Sequence, residues 1–368
     1  MHDERVIAAA VASLPLVGPA RLRTLVGGLG ASEAWRTLRG EVAPRNHIAA
    51  LLSKDDLGRI WRRAATSELL HHTAEALAQN DITVLLTSDA EYPAALRGDV
   101  AAPAVLFVRG NLQAFAHRRV GIIGTRAASA AGRHFARRLA RELSGHGVSI
   151  VSGLARGIDA AAHHGAIDAT AAPPIAVVAT GLDVVYPREH RGLWSTVARD
   201  GVIISESPPG CGPDAFRFPL RNRILAAISE VLVVVESRAT GGSMITVEEA
   251  LQRGTTVMAV PGSPHSDVSV GTNHLISQGA ATVCDTTDVL VALGLDHRHH
   301  TASVDLRPSP AASEQLVLDV LITRPLTFDQ LVAVMQLPIG EVALRLGRLE
   351  AHGWVAANAG WWEALVAP

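Results

Sequence analysis

Nine short runs of β-branched and aliphatic residues, separated by helical segments, dominate the chain from Ile82 to about Leu293. The runs are ITVLL, VLFV, RVGIIG, VSIVSG, PIAVVAT, GVIIS, VLVVVE, TTVMAV and ATVCD. Runs that are apolar at nearly every position are typical of strands buried on both faces of a parallel sheet. Stretches such as AAGRHFARRLARELSGHG provide the helical crossovers between them. The pattern predicts an α/β fold with a doubly wound, mostly parallel sheet over residues 79–294.

Three further regions flank this domain. Residues 1–78 have helical spacing, as in ERVIAAAVASL and SELLHHTAEALAQ, and predict an N-terminal helical domain. Residues 295–312 are polar, proline-bearing and aperiodic, which predicts a linker. Residues 313–368 contain three helical segments and a hairpin at the sequence NAG, which together predict a winged-helix domain.

The composition limits where an anion could bind. The chain has 33 basic and 35 acidic residues, so no general attraction to nucleic acid or membrane follows, and any anion site is local. Its two cysteines, Cys211 and Cys284, form no CxxC pair, which fits a reducing compartment and argues against zinc. Asp3 and Glu4 replace the basic residues of a signal peptide, and no apolar run reaches the roughly 18 residues of a membrane span. We predict a cytoplasmic protein with no metal and no cofactor.

Ligands of open parallel sheets bind beyond the carboxyl ends of the strands, so the residues that follow each run are the candidates. Gly124, Thr125 and Arg126 follow the run RVGIIG and precede a helix. Small residues let the backbone approach a ligand, and amides at a helix start attract phosphate. The turn matches neither a Walker A loop nor a full GxGxxG, so it is a weak indication by itself. Arg126 strengthens it, because a tight turn has no structural need for a long cation.

The next two strand ends add candidates of the same kind. Ser152 and Gly153 end the run VSIVSG, and Arg156 and Asp159 lead into a helix. Asp159 is expected to cap that helix, which leaves Arg156 either to pair with it or to face a ligand. Arg188 follows the turn in TGLDVVYP and begins another helix.

The segment FRFPLRNRILAAI concentrates cations at one predicted loop-to-helix boundary. Its candidate residues are Arg217, Phe218, Arg221, Asn222 and Arg223. Arginines suit a phosphate, and the phenylalanine ring is either a stacking surface for a base or a core aromatic behind the loop. One of Arg221 and Arg223 is expected to reach a phosphate. The other is free to hold the loop by pairing with Glu206 or Glu236.

A second amide-rich helix start lies in VVVESRATGGSMITVEEAL, at Gly242, Ser243 and Thr246. No carboxylate pair, Ser-His-Asp order or metal-ligand cluster emerges at any strand end. A site rich in amides and arginines but poor in acid–base groups favours binding over catalysis. An extended anion with several phosphates would use all of these turns, whereas a single nucleotide would need only one or two.

Eight stretches, in order over about residues 82–283, resemble the bacterial DNA-processing protein A (DprA/Smf) family. They are GIIGTR, VSGLARGIDAAAH, TGLDVVYP, ISESPPG, FPLRNRILAAIS, GSMITVEEAL, AVPG and GTNHLISQGA. The resemblance implies a Rossmann-like, non-enzymatic domain that binds single-stranded DNA and helps to load the RecA recombinase, notably in natural transformation. It places Arg126 at the family's key DNA-binding arginine and FPLRNR on the loop beside the DNA pocket.

The resemblance also bears on dimerisation and on the flanking regions. NHLISQGA falls where family members form homodimers, at His274, Leu275, Ile276 and Gln278. LPLVGPARLRTLV resembles a helix-hairpin-helix or SAM-like extension, which is either a phosphate contact through Gly18 or purely structural. The winged helix resembles a module of many members, and its third helix carries only Arg345 and Arg348 against two glutamates. The sequence therefore favours a protein contact for this helix at least as much as a contact with duplex DNA.

One alternative belongs to a different class, the Rossmann-like nucleotide phosphoribohydrolases. Lysine-decarboxylase-like members have a PGGxGTxxE pattern with a glutamate at the helix start. The nearest stretch here is TGGSMITVEE, in which Glu248 is displaced and Met244 and Ile245 precede the threonine. A third interpretation, a transcription regulator that uses the winged helix on a duplex, would need sequence-specific binding.

Overall fold

A computed structural model describes residues 3–295, 307–358 and 360–365. The chain forms two compact units, residues 1–296 and 297–368. Most of the predicted linker lies outside the described residues, and the predicted boundary at residue 78 stays a prediction. Within the described ranges, no helix is both long and apolar enough to cross a membrane.

The first unit is built on a nine-stranded sheet whose strands fall on the nine runs predicted from the sequence. The strands are β1 (Thr83–Leu86), β2 (Val105–Gly110), β3 (Arg118–Ile123), β4 (Val148–Ser152), β5 (Ile175–Val177), β6 (Val202–Ser205), β7 (Val231–Val234), β8 (Thr256–Ala259) and β9 (Ala281–Thr282). Their order is β1-β2-β6-β5-β4-β3-β7-β8-β9. Only β1 with β2 and β2 with β6 pair antiparallel; every other described pair in this sheet is parallel. The predicted α/β class is confirmed.

Six helices precede the sheet and confirm the helical character predicted for this region. They are α1 (Glu4–Ala12), α2 (Pro19–Leu22), α3 (Ala31–Arg39), α4 (Asn46–Leu52), α5 (Leu57–Ala64) and α6 (Ser67–Gln79). Their apolar faces share one buried core with the sheet, in which Val11 and Trp61 join Phe107 of β2. The indole Nε1 of Trp61 also donates to the Pro15 carbonyl at 2.7 Å, which anchors the hairpin between α1 and α2.

Seven helices connect the strands, and an eighth follows β9. They are α7 (Ala94–Arg97), α8 (Ala130–Gly145), α9 (Ile158–Ala169), α10 (Arg191–Asp200), α11 (Arg217–Ile228), α12 (Gly242–Gln252), α13 (Val270–Ser277) and α14 (Thr286–Ala292). The strand order reverses between β3 and β7, because β4 lies on one side of β3 and β7 on the other. Such a reversal opens a crevice beyond the carboxyl ends of the strands, where ligands of this fold class bind.

The second unit is a winged helix, as predicted. Its elements are α15 (Ala312–Thr323), β10 (Leu326–Thr327), α16 (Phe328–Met335), α17 (Ile339–Ala351), β11 (Val355–Asn358) and β12 (Trp361–Ala364). β11 and β12 form the predicted hairpin, and β10 adds a two-residue strand too short to leave a sequence pattern. Both arginines of α17 are engaged within the unit: Arg345 pairs with Glu341, and Arg348 lies 3.6 Å from Glu314.

Candidate nucleic-acid interface

The carboxyl ends of β3, β4 and β7 open onto a cavity of about 420 Å³, here called the switch-point pocket. The loop after β3, the first turns of α11 and the start of α12 form its walls. The predicted site residues that meet here are Gly124, Thr125, Arg126, Phe218, Arg221, Asn222, Gly242, Ser243 and Thr246. Strand ends that are far apart in sequence thus contribute to one concave site, as the strand-end rule predicts.

Phe218 lines the pocket as a half-buried ring, so it is not a core aromatic behind the loop. The guanidinium carbon of Arg126 lies 4.9 Å from its ring centroid, and the Tyr186 ring lies 5.6 Å away. A cation over an aromatic face is attracted by the ring quadrupole, so Phe218 positions Arg126 at the pocket. The accessible part of the ring offers an apolar face on which a base can stack.

Arg221 forms the floor of the pocket and is only 7% exposed. Its Nη1 donates to the Val177 carbonyl at the end of β5 at 2.7 Å, whereas its Nε has no acceptor among the described residues. Burial lowers the pKa of this guanidinium, and the neighbouring Asp159 carboxylate opposes that shift. Arginine stays protonated in proteins. A buried cation whose donors are incompletely used is a site at which an anion is stabilised.

Asp159 lies beside Arg221 and does not cap α9, so that prediction is wrong. α9 begins at Ile158 after Gly157, whose φ of 76° turns the chain into the helix. The carboxylate of Asp159 instead accepts from the Gly153 amide at 3.1 Å. Burial raises the pKa of Asp159, and the nearby charge of Arg221 opposes that rise. Asp159 therefore holds the loop after β4 beneath the pocket.

Gly153 leaves the space that the Arg221 side chain occupies. A Cβ atom at Gly153 would lie 1.7 Å from Nη1 of Arg221, which is far inside any real contact distance. Gly153 therefore acts beneath the pocket, through Arg221, rather than on its surface.

We expect Gly153→Ala to lower the free energy of unfolding by roughly 1–3 kcal/mol, because the new methyl group must displace Arg221. Thermal unfolding followed by circular dichroism measures the loss. The same substitution made in an Arg221→Ala background should cost clearly less, because the clashing side chain is gone. An equal cost in both backgrounds would contradict this role for Gly153.

The start of α8 does not offer its amides to a phosphate, contrary to the expectation drawn from GIIGTR. Ser129 is the N-cap of α8, and its Oγ accepts from the Gly132 amide at 2.9 Å. The Glu236 carboxylate accepts from both the amide and the hydroxyl of Ser129. A carboxylate therefore lies at the helix start, the position that the pyrophosphate of a bound dinucleotide occupies in dinucleotide-binding folds. Glu236 is therefore not the partner of Arg221 or Arg223.

The start of α12, in contrast to that of α8, has no side-chain cap. Its N-cap is Gly241, which has no side chain to cap the first amides, and Gly241 and Gly242 both line the pocket. The positive end of this 11-residue helix therefore faces the cavity together with Arg126. A phosphate in the pocket would lie between a helix start and two guanidinium groups.

Arg223 does not line the switch-point pocket, because its donors are used inside the fold. It forms a buried ion pair with Glu206, in which the two side chains are 9% and 10% exposed. Its Nη1 also donates to the Ala101 carbonyl at 2.6 Å. The sequence does not decide which of Arg221 and Arg223 holds the loop. The structure shows that Arg223 holds the loop after β6, so the prediction that Arg223 contacts DNA in this pocket is corrected.

Four other predicted residues also lie away from this pocket. Ser152 is buried, and its hydroxyl donates to the Ile122 carbonyl at 2.7 Å. Arg156 pairs with Glu189, not with Asp159, on an exposed surface. Arg188 is exposed in a short 3-10 turn. Arg217 faces a second cavity and bonds to Asp214.

One cation of the pocket, Arg238, was missing from the prediction. It is exposed, lines the cavity and follows the end of β7 by four residues. The strand-end rule covers this position, because Arg238 lies in the same ESRATGG turn as the predicted Gly242. Ile245, also unpredicted, adds a 38% exposed apolar side chain to the wall.

The segment expected at a dimer interface forms α13 and the turn after it. Leu275 is 5% exposed and packs in the core of its own chain. His274 and Gln278 are exposed and Ile276 is half-buried. Three of the four side chains are thus at least partly accessible, while Leu275 stabilises the helix from within.

Known proteins resemble this chain over both units. A family model described as DNA recombination-mediator protein A matches residues 83–294, and one described as DprA winged helix domain matches residues 301–360. The DNA processing protein DprA of Bacillus subtilis is 34% identical over 254 residues, which cover 69% of this chain and 83% of that protein. The putative DprA of Mycobacterium tuberculosis is 34% identical over 370 residues, covering 91% and 94%.

Two solved structures are also similar. DprA from Streptococcus pneumoniae has a TM-score of 0.65 and 29% identity, covering 79% of this chain and 98% of its own. DprA from Helicobacter pylori, described for its unique single-stranded DNA binding mode, has a TM-score of 0.53 and 27% identity, covering 58% and 96%. With the strand order, the winged helix and these matches together, the chain belongs to the DNA recombination-mediator protein A family.

Proposed function

We propose that this protein binds single-stranded DNA in the switch-point pocket and catalyses no reaction on it. The observation that carries the proposal is Arg221, a buried cation with an unused donor, placed beside Arg126 and the accessible ring of Phe218. A phosphate would neutralise the guanidinium groups while its base stacks on the ring. The single-stranded DNA binding described for the Helicobacter pylori relative supports the same proposal.

The shape of the pocket favours one strand over two. A concavity of about 420 Å³ admits a nucleotide but not the width of a double helix. In a duplex the faces of the bases are stacked on each other, so a ring such as Phe218 cannot reach them. Duplex DNA could contact the site only through its phosphates, and no base would stack on Phe218.

Fluorescence anisotropy with single-stranded and duplex oligonucleotides of one length tests this proposal. We expect the single strand to bind at least about tenfold more tightly, because base stacking adds about 1–3 kcal/mol per base. The affinity should also fall steeply with salt, since bound phosphates release counterions. Tighter binding of the duplex, or no binding at low salt, would contradict the proposal.

The phosphoribohydrolase alternative finds little support in the pocket lining. Among the described lining residues the only carboxylate is Asp159, which is buried and bonded to the Gly153 amide. Glu248 is exposed on α12 outside the lining, and Glu249 pairs with Arg253. Incubation with nucleoside monophosphates, followed by chromatography of released base, separates the two functions. Release that depends on Asp159 would favour the hydrolase.

Loading of the RecA recombinase and formation of a homodimer in the cytoplasm belong to the same proposal, and they rest on the family resemblance. His274 of α13 and Gln278 in the turn after it, both exposed, are the proposed dimer contacts. Light scattering of the wild type and of a His274→Glu variant tests the dimer. The rate at which RecA forms filaments on strands coated with single-strand-binding protein tests the loading. A monomeric wild type would contradict the homodimer. A rate of filament formation that does not change when this protein is added would contradict the loading of RecA.

A further inference from the structure

A second cavity lies beside the switch-point pocket and is not explained by it. This hairpin pocket has a volume of about 620 Å³ and lies between the α1–α2 hairpin and the carboxyl ends of β5 and β6. Leu14 and Val17 of the hairpin form one wall, and Pro208 and Cys211 after β6 form another. Its size, and walls that combine apolar side chains with polar groups, suit a small molecule or a base.

Helix α11 separates the two cavities and contributes one face to each. Positions 217, 220, 221 and 224 line the hairpin pocket, and positions 218, 219, 221, 222 and 225 line the switch-point pocket. Both sets contain the i, i+3, i+4, i+7 spacing of one helix face, offset by a single residue. Arg221 belongs to both sets, so its buried guanidinium is shared by the two cavities. Both cavities therefore border the first two turns of α11.

Each cavity carries the same pair of side chains at its edge. In the switch-point pocket Arg126 lies over Phe218, and in the hairpin pocket the guanidinium carbon of Arg217 lies 5.0 Å from the ring centroid of Phe216. Phe216 is 61% exposed, so much of its ring is accessible to a ligand. An aromatic face beside a guanidinium is the arrangement that stacks a base and contacts its phosphate.

The floor of the hairpin pocket includes a buried carboxylate, Glu206, whose hydrogen bonding is incomplete. Oε1 of Glu206 has no hydrogen-bond donor among the described residues, although its other oxygen accepts from Arg223. Glu206 is one of the lining residues, and burial raises the pKa of its carboxyl. A carboxylate in this position suits the amino groups of a base, and apolar walls suit the base faces.

We propose that the hairpin pocket is a second nucleotide subsite of the bound strand. A strand held in the switch-point pocket crosses the N-terminus of α11, passes Arg217 and Arg221, and places another base against Phe216. The inference rests on the proposed single-strand binding and extends it to the N-terminal hairpin. It assigns a role to Arg217 and Phe216 that the switch-point pocket does not give them.

The two cysteines of the chain make a direct test possible. Cys211 is half-buried and lines the hairpin pocket, whereas Cys284 is exposed and lines neither cavity. The probe is alkylation by a maleimide, followed for each thiol by mass spectrometry, with and without an oligonucleotide of about 20 nucleotides. Anisotropy of the same labelled strand shows that the protein is saturated. Each thiol is compared only with itself, so the pKa of Cys211, which partial burial raises, does not enter the comparison between the two thiols.

We expect saturating strand to slow alkylation of Cys211 by about fivefold or more and to leave Cys284 within about twofold, because access governs the rate at fixed thiolate fraction. Saturated binding with an unchanged rate at Cys211 would overturn the inference and leave the proposed function intact. Failure to saturate would instead contradict the proposed function itself.

Variants of Phe216 provide a second readout that does not use the thiols. With strands of increasing length, wild-type affinity should rise once the strand reaches both pockets. Phe216→Ala should remove that rise without weakening the shortest strands, and Phe216→Trp should retain it. Phe216 is exposed, so neither change is expected to impair folding, and Val291→Ala, an exposed change on α14, is the matched control. An undiminished rise in Phe216→Ala would also overturn the inference.

Discussion

Arg126→Ala is expected to weaken binding of single-stranded DNA by about 10- to 100-fold, because a hydrogen bond to a charged group contributes about 1.5–3 kcal/mol. Arg126 lines the switch-point pocket, and its guanidinium is held over Phe218. Removing it would delete the proposed phosphate contact and uncover the ring, while the buried floor at Arg221 stays in place. Fluorescence anisotropy with one labelled strand at fixed salt measures the change.

The matched control for Arg126→Ala is Arg199→Ala. Arg199 is exposed at the end of α10, where it pairs with Asp200 at 2.7 Å, so its removal changes the net charge by the same amount away from the pocket. We expect the control to bind within about twofold of the wild type, since isolated surface ion pairs contribute little. Equal losses in the two variants would mean that the affinity follows total charge and not this pocket.

Arg223→Met is expected to have the largest effect on stability, a loss of about 3–5 kcal/mol in the free energy of unfolding. The change leaves the Glu206 carboxylate buried without its partner and the Ala101 carbonyl without a donor. Differential scanning calorimetry of the full chain measures the fall in Tm. The double variant Glu206→Gln with Arg223→Met should recover part of the loss, because no charge then stays buried. A single variant as stable as the wild type would contradict a stabilising role for this pair.

The loss in Arg223→Met should also depend on pH, with a sign that follows from Glu206. Burial raises the pKa of this carboxyl in the folded chain above its ordinary value of 4.5, and the charge of Arg223 opposes the rise. The unfolded chain therefore loses the proton first as pH increases, and stability falls between the ordinary and the folded pKa. Without Arg223 the folded pKa is higher still. We expect the variant to be closer to the wild type near pH 5 than near pH 8.

The strands and the location of the site were predictable because both follow from local patterns. Strands buried on both faces are apolar at almost every position, so runs such as VLVVVE and RVGIIG mark β7 and β3 directly. The strand-end rule then brings Arg126 and Gly242 to one crevice, although they are more than a hundred residues apart in the sequence. The i, i+3, i+4 spacing of FPLRNRIL places Phe218 and Arg221 on one face of α11.

The partners of individual charged residues could not be predicted, because they depend on distances between loops. Ser129 and Glu236 are 107 positions apart, and no sequence pattern indicates that this carboxylate closes the start of α8. Arg156 pairs with Glu189 across two loops in the same way. The packing of Arg221 above Gly153 likewise needs the backbone coordinates, because the sequence shows only a glycine after a strand. These contacts decide which arginines remain available to a ligand.

The salt dependence of strand binding, compared between the wild type and Arg126→Ala, shows whether Arg126 contacts a phosphate of the bound strand. A residue that contacts one phosphate of a single strand contributes about 0.7 to the slope of log affinity against log salt concentration. We predict weaker binding by the variant and a slope smaller by about that amount. Weaker binding with an unchanged slope would mean that Arg126 supports the fold and not the phosphate. Unchanged affinity and slope would place the strand outside the switch-point pocket.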